Sequence, residues 1–409
     1  MLSDVNIPLL LLLGAGVLLG LYGGKATKKI RLPSIIGYMV VGVLLGPSLL
    51  ELLSEGVQEE ISFITDVALG FVALTIGLEL SFNSLRKQGW AIVLIIVTES
   101  LLAFAVVTGA VLLLTRNLPM ALLFGAIAPA SAPAGTVAVI QEYRARGPLT
   151  KALYSVVGFD DGLGIIIFGF ASAIAVGLLE AQTGAAPYSA GKLLVEPLQE
   201  IGTSIGVGVA VGILYSVLVR RLKSGSDIFI LSTGIVFLVV GASELLHMSL
   251  ILTNMVVGIV AVNGLPNRVT EHIRSGVGGV MPLLFVLFFV LAGANLHVSA
   301  LPGLGLLGLV YMVGRSAGLV SGASLGATLG RADSVLRKYL GLGILSQAGV
   351  AIGLALAVKQ DFTPLGELGA EIGATVITTI TATSIIFELI GPILTKRALG
   401  AAGEIESDT

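Results

Sequence analysis

Two adjacent carboxylates, Asp160 and Asp161, stand inside "SVVGFDDGLGIII", residues 155–167, a stretch otherwise apolar enough for the interior of a bilayer. A carboxylate at the centre of a membrane helix costs about 2.5 kcal/mol or more even on a lenient insertion scale, so acids there read as functional. Such a group must be neutralised, and a proton or a metal cation can each do it. Both would then compete for the same oxygens, and Asp161 and Asp160 are the residues assigned to that exchange. Neighbouring helical positions diverge by about 100°, so the pair cannot face one point, but both can border one cavity. The plainer alternative is a structural pair held by hydroxyls or a buried base.

Monovalent alkali cations prefer oxygen ligands, and the nearest candidates are the hydroxyls of Ser131 and Thr136, with main-chain carbonyls freed where their helix is interrupted. Arg315, in "YMVGRSAGLV", is the one base deep in an apolar run. A guanidinium stays charged in proteins and calls for a fixed anion, so Asp160 is its expected partner and Glu99, in "IVTESLL", the second choice; an interfacial snorkelling arginine is the alternative. The three histidines, 247, 272 and 297, are scattered, and there is no cysteine. Thiolate metal sites and thiol catalysis are thereby excluded, and no cofactor is expected beyond the transported ions themselves.

The elements that must position these groups follow from hydropathy. Of 409 residues 55% are hydrophobic and 12% charged, with a mean hydropathy of +1.01, against about 25% charged in soluble domains. This is an all-α polytopic membrane protein. Its 54 glycines suit helices that pack backbone to backbone. A net charge of −2 leaves no basic footprint for nucleic acid. Runs long enough to span predict thirteen transmembrane helices, within 5–23, 34–50, 61–79, 90–114, 118–141, 150–178, 195–219, 228–246, 248–263, 279–296, 301–329, 338–358 and 366–394. The first is read as a retained helix, since it lacks a basic leader. Loops after odd-numbered spans hold nineteen Lys and Arg residues and loops after even-numbered ones hold three. The positive-inside rule then places the amino terminus outside and the carboxyl terminus in the cytoplasm. A single transmembrane domain is expected over 1–409, in two halves of about 1–178 and 228–395, with a short acidic tail at 396–409 and no soluble regulatory domain.

Two spans carry breaks. The fifth contains "IAPASAPAGT", where Pro129 and Pro133 each remove a main-chain hydrogen bond, and the twelfth contains "ILSQAGVAIG", where Ser346 and Gln347 interrupt an apolar run. Seven spans apart, these two cross the membrane in opposite directions. Interrupted helices at corresponding places in antiparallel halves point to inverted repeats, with a substrate site at the midplane. Pro129, Pro133, Ser346 and Gln347 are therefore candidate cavity-lining residues.

With these residues assembled, the chain resembles the monovalent cation:proton antiporter superfamily, in particular its Kef- and Nap-type branch. The resemblance is carried by "LPSIIGYMVVGVLLGP", "IGLELSFNSLR", "APASAPAGTVAVIQE", "FDDGLGI", "PLLFVLFFVLAGANL" and "SQAGVAIGLAL", in this order along nearly the whole chain. It implies a dimerisation domain and a six-helix core with crossed interrupted helices, a homodimer in a prokaryotic inner (plasma) membrane, and antiport of protons against Na+, K+ or Li+ by alternating access. Asp161 matches the family's cation- and proton-binding aspartate, Asp160 its preceding partner, and Arg315 a base in the eleventh helix. In the family a double aspartate goes with lysine and electrogenic exchange, and asparagine–aspartate with arginine and electroneutral exchange; this chain combines the double aspartate with Arg315. If Arg315 neutralises Asp160, only Asp161 cycles, and one proton moves per cation. The rival readings are a Kef-like K+ efflux protein gated by a separate partner, a Na+-coupled organic-anion symporter and, as the enzyme alternative, an intramembrane aspartyl protease. The last needs its acids on different helices, so no enzyme is expected.

Overall fold

The structure, a computed structural model, describes residues 8–82, 89–183, 190–222, 224–246, 248–295 and 305–405. Arg86, Lys87, Lys223, His247 and His297, used above for charge and histidine placement, lie outside them, as do parts of the 178–196 link and of the tail.

Helices account for the architecture, and no strand occurs among the described residues. In chain order they are α1 (Leu9–Lys29), α2 (Ser34–Leu45), a short α3 (Glu55–Glu60), α4 (Ser62–Glu79), α5 (Trp90–Thr115), α6 (Leu118–Ile127), α7 (Pro133–Glu142), α8 (Pro148–Thr183), α9 (Ala190–Val219), α10 (Gly225–Leu246), α11 (Leu250–Gly264), α12 (Asn267–Ala294), α13 (Gly305–Leu329), α14 (Ser334–Gly343), α15 (Gly349–Phe362) and α16 (Glu367–Ala401). Nine of them, among the described residues, are long and apolar enough to cross a membrane, and α2, α6 and α11 are shorter apolar helices.

Local chemistry sets many of the boundaries. Pro133 and Pro148 open α7 and α8, where a missing N–H would have no intrahelical partner anyway. The Asn117 side chain accepts from Met120 N at 3.0 Å and caps α6, and Ser249 does the same for α11 from Leu252 N at 3.2 Å. Among the described residues each predicted span overlaps a helix or an interrupted pair. Two boundaries differ most. Helix α12 starts at Asn267, because the charged segment before its apolar run is also helical, and α16 continues to Ala401, so residues 396–401, expected in the tail, belong to the helix.

One offset relates the two halves. Adding 216 to Leu9, Ser34, Leu118 and Pro133 gives Gly225, Leu250, Ser334 and Gly349, the first residues of α10, α11, α14 and α15, and adding it to Ile127 gives Gly343, the last of α14. The repeats thus span about 9–183 and 225–401. The helices form two compact units, and each unit draws equivalent helices from both repeats: α1, α2, α4 with α10, α11, α12 in one, and α5, α6, α8 with α13, α14, α15, α16 in the other.

Within the first unit, glycines allow main chains to touch at equivalent places. Gly42 and Gly293 join α2 to α12, and Gly258 and Gly77, each 216 residues from its counterpart, join α11 to α4. In the second unit the contact between α5 and α13 is longer. Gly318, Gly322, Gly326 and Gly330 recur every four residues, and a Cβ added to them would meet Ala103 Cα at 2.6 Å, Glu99 Cα at 2.5 Å, Ile95 Cα at 2.6 Å and Ala91 Cα at 2.5 Å. The partner number falls as the glycine number rises, so these repeat-equivalent helices run antiparallel, as inverted repeats require. Gly322→Ala is expected to destabilise by about 1–3 kcal/mol, because the obstructing atoms are backbone and cannot rotate aside. Gly109→Ala, where nothing lies within 4 Å, should instead be neutral or stabilising by up to about 1 kcal/mol. Thermal unfolding of the detergent-solubilised protein reads both signs.

Candidate functional site

All the site residues named from the sequence fall in the second unit. The two breaks are residues 128–132, between α6 and α7, and 344–348, between α14 and α15. They lie against each other: Ala132 N donates to Ser346 O at 2.9 Å, and the Thr136 hydroxyl donates to Gly343 O at 2.9 Å. Position rises on one break as it falls on the other, so they too run antiparallel. Pro129 lies within the first break, and Pro133 is the first residue after it, which explains why no intrahelical bond bridges the gap.

Arg315 holds the two breaks together. From α13, fully buried, its Nε donates to Ala128 O at 2.9 Å, Nη1 to Leu345 O at 2.7 Å, and Nη2 to Ala130 O at 3.0 Å and Ser346 O at 3.4 Å. The guanidinium carbon lies 4.5 Å from the centroid of the Phe387 ring, a cation–π distance. Among the described residues no carboxylate is its hydrogen-bond or ion-pair partner, which corrects the expectation of an ion pair with Asp160 or Glu99. A forked guanidinium carries five N–H donors, and the interrupted helices surround it with four carbonyls, whereas a carboxylate engages only one edge of the fork. Glu99, fully buried in α5, is the repeat equivalent of Arg315, 216 residues earlier, yet it accepts from the Ser100 hydroxyl at 2.9 Å through Oε1 and leaves Oε2 without a hydrogen bond.

Gln347 completes the arrangement. Its Nε2 donates to Ile127 O and Ala130 O, both at 3.3 Å, and lies 2.9 Å from the Tyr311 hydroxyl. The carbonyl of Ala130 therefore has both lone pairs engaged, one by Arg315 and one by Gln347. Carbonyls freed at the first interruption were expected to ligate a cation; that of Ile127, at the end of α6, and those of Ala128 and Ala130 are bound by side chains instead. Gln347, read as cavity lining, acts as a brace. Ser346 packs between Gly391 and Gly135: a Cβ on Gly391 would lie 2.7 Å from Ser346 Cα, and one on Gly135 would lie 3.1 Å from its Oγ. That buried Oγ has no hydrogen-bond partner.

The aspartates differ from each other. Asp160 is 0% exposed, and both its oxygens accept: Oδ2 from the Ser131 hydroxyl, Oδ1 from Asp161 N at 2.8 Å. Asp161 is 8% exposed, and neither carboxylate oxygen has a partner among the described residues. The structure thus brings Ser131, Asp160 and Asp161 together, while Thr136, expected beside them, has its hydroxyl committed to α14.

Other acids pair away from the aspartates. Glu142 accepts from Ser34 N and Oγ and lies 3.2 Å from Lys28 Nζ, and Glu79 lies 3.3 Å from Arg274 Nε. Glu388 is buried and forms no ion pair among the described residues. Unforeseen was Glu404, whose carboxylate accepts from Leu149 N and Thr150 N, each at 2.7 Å, and from the Thr150 hydroxyl at 2.6 Å. It caps the first turn of α8, the helix that carries the aspartates. No sequence signal links position 404 to position 149. Glycine repetition in "GRSAGLVSGASLGATLG" was, by contrast, legible and marks the helix that presents Arg315.

The profile of the family described as "Sodium/hydrogen exchanger, transmembrane" matches residues 14–397. A curated relative, Na(+)/H(+) antiporter 1 of Methanocaldococcus jannaschii, is 25% identical over 207 residues, 50% of this chain and 46% of that protein. The match therefore spans about half the length of that relative. Two solved structures of the sodium proton antiporter MjNhaP1 from the same organism share the fold at 20% identity. One, at pH 8, has a TM-score of 0.68 over 96% of this chain and 99% of the other; an electron-microscopy structure has 0.77 over 97% and 98%.

Proposed function

The chain belongs to the sodium/hydrogen exchanger family, a family of membrane transporters and not of enzymes, and on that premise we propose that it exchanges protons for monovalent cations by alternating access, with competition at Asp161. The observation that carries this reading is the contrast within the aspartate pair: two engaged oxygens on Asp160 and two free, buried oxygens on Asp161. A carboxylate buried in a membrane protein without donors is neutral with a proton or with a cation, and both cannot occupy the same oxygens. Either loaded form can cross; the bare anion is held back by its desolvation cost. Exchange follows.

One proton per cation remains the simplest stoichiometry, now for a different reason. Asp160 is withheld from cycling by Ser131 and the Asp161 amide, not by an ion pair to Arg315. Na+ is the first cation expected, with Li+ and K+ next, and a homodimer is the expected assembly.

Proteoliposomes test the reading. If proton and cation share Asp161, lowering the pH should raise the apparent KM for the cation roughly in proportion to proton concentration, about tenfold per pH unit at the acidic end, with the maximal rate at saturating cation unchanged. A KM that ignores pH would remove the competition. A rate that responds to an imposed potential without a counter-ion shunt would remove the one-for-one stoichiometry, and downhill K+ flux without proton movement would favour gated efflux.

A further inference from the structure

One turn beyond the aspartates on α8, Gly164 faces the first break. A Cβ added there would stand 3.8 Å from the Ala130 nitrogen and 4.0 Å from both Ala130 Cα and Pro129 Cβ, with no closer atom. These are ordinary contact distances, so packing does not require a glycine, and alanine would favour the helix. The contrast with Gly318 or Gly322, where backbone stands in the way, is plain. Gly164 is three residues from Asp161 and four from Asp160, so the three share one side of α8. Ser131 reaches Asp160 from that same break.

We infer that Gly164 is a specificity-determining residue, its missing side chain leaving the room beside Asp161 that fixes how large a cation shell the site accepts. The inference rests on the exchange reading above. Two carbonyls of the break, those of Ala128 and Ala130, and that of Ile127 just before it are already bound by Arg315 and Gln347. An ion at Asp161 then completes its oxygen shell from Ser131, the carboxylates, the remaining carbonyls of the break and water, in the space between α8 and the break. Selectivity among alkali ions then depends on that space, since a larger ion needs longer bonds and more ligands. A methyl at 164 would narrow it without clashing.

The test measures apparent KM for Li+, Na+ and K+ in proteoliposomes carrying the parent, Gly164→Ala and Gly162→Ala. Position 162 adjoins Asp161 yet has nothing within 4 Å of an added Cβ, so it controls for a methyl on the same helix. Gly164→Ala is expected to raise the KM of the larger carried ions relative to the smallest by about fivefold or more, with thermal unfolding unchanged or slightly raised. Gly162→Ala should leave the ratios as in the parent. Equal ratios in all three proteins, or equal shifts in both variants, would overturn the assignment. Asp161→Asn, run alongside, separates the two levels: exchange persisting in that variant removes the underlying reading, whereas its loss together with unshifted Gly164→Ala ratios removes the selectivity role alone.

Discussion

Asp161→Asn is expected to lower pH-driven cation exchange by a hundredfold or more while leaving a protein that inserts and unfolds at or above the parent's temperature. Asparagine keeps the shape and one acceptor oxygen but can neither bind a proton at neutral pH nor neutralise a cation. A charged ligand worth about 3 kcal/mol corresponds to roughly a hundredfold in affinity, and loss of the proton site abolishes coupling in addition. Stability should not suffer, because neither Asp161 oxygen has a partner to lose, and removing an ionisable group from mid-membrane relieves a burial cost of about 2.5 kcal/mol. Ion-driven pH changes in vesicles, with Na+, K+ and Li+ in turn, read the first part, and thermal unfolding in detergent reads the second. Exchange within threefold of the parent would end the assignment of Asp161.

Arg315→Met carries the second large effect, and it is on folding. The substitution removes donors from Ala128 O, Ala130 O, Leu345 O and Ser346 O at once. An unpaired buried polar group costs about 1–3 kcal/mol; Gln347 still covers Ala130 O and the Ala132 amide still covers Ser346 O, which leaves the carbonyls of Ala128 and Leu345 to bear the loss. A loss on the order of 4 kcal/mol or more is expected, seen as a collapse in folded yield or a large fall in unfolding temperature. Arg315→Lys, with three donors on a single nitrogen, should recover part of it. The combination with Asp160→Asn is decisive. A counter-charge would be dispensable once its anion is gone, so the double variant would be restored; a brace for carbonyls would not. The geometry predicts no restoration.

Much of this was legible in the sequence because the bilayer allows few solutions. Apolar runs locate spans, and two prolines four residues apart in "APASAPAGT" cannot sit in an unbroken helix, so the first break was visible in advance. The second was readable from Ser346 and Gln347 by correspondence. Asp160 and Asp161 stood out because charge in hydrocarbon is costly wherever it points. Partnerships were harder. Charge complementarity suggested Asp160 for Arg315, but hydropathy and charge do not count lone pairs, and the freed carbonyls of two breaks proved the better match for a five-donor fork. Thr136 was misplaced for a related reason: it follows Ser131 closely in sequence, yet lies beyond Pro133 in the restarted helix α7, where its hydroxyl meets the end of α14. Glu404 could not be found at all, since nothing local distinguishes it from a solvated tail acid.

That cap has a bearing on biosynthesis. Amide hydrogens of Leu149 and Thr150 wait on a glutamate encoded about 255 codons later, so while the ribosome is still working, the helix holding the aspartates has its leading turn open. The bundle cannot reach its finished state in the order in which it is made; a stretch that leaves the exit tunnel about 255 residues later closes a helix that entered the membrane long before.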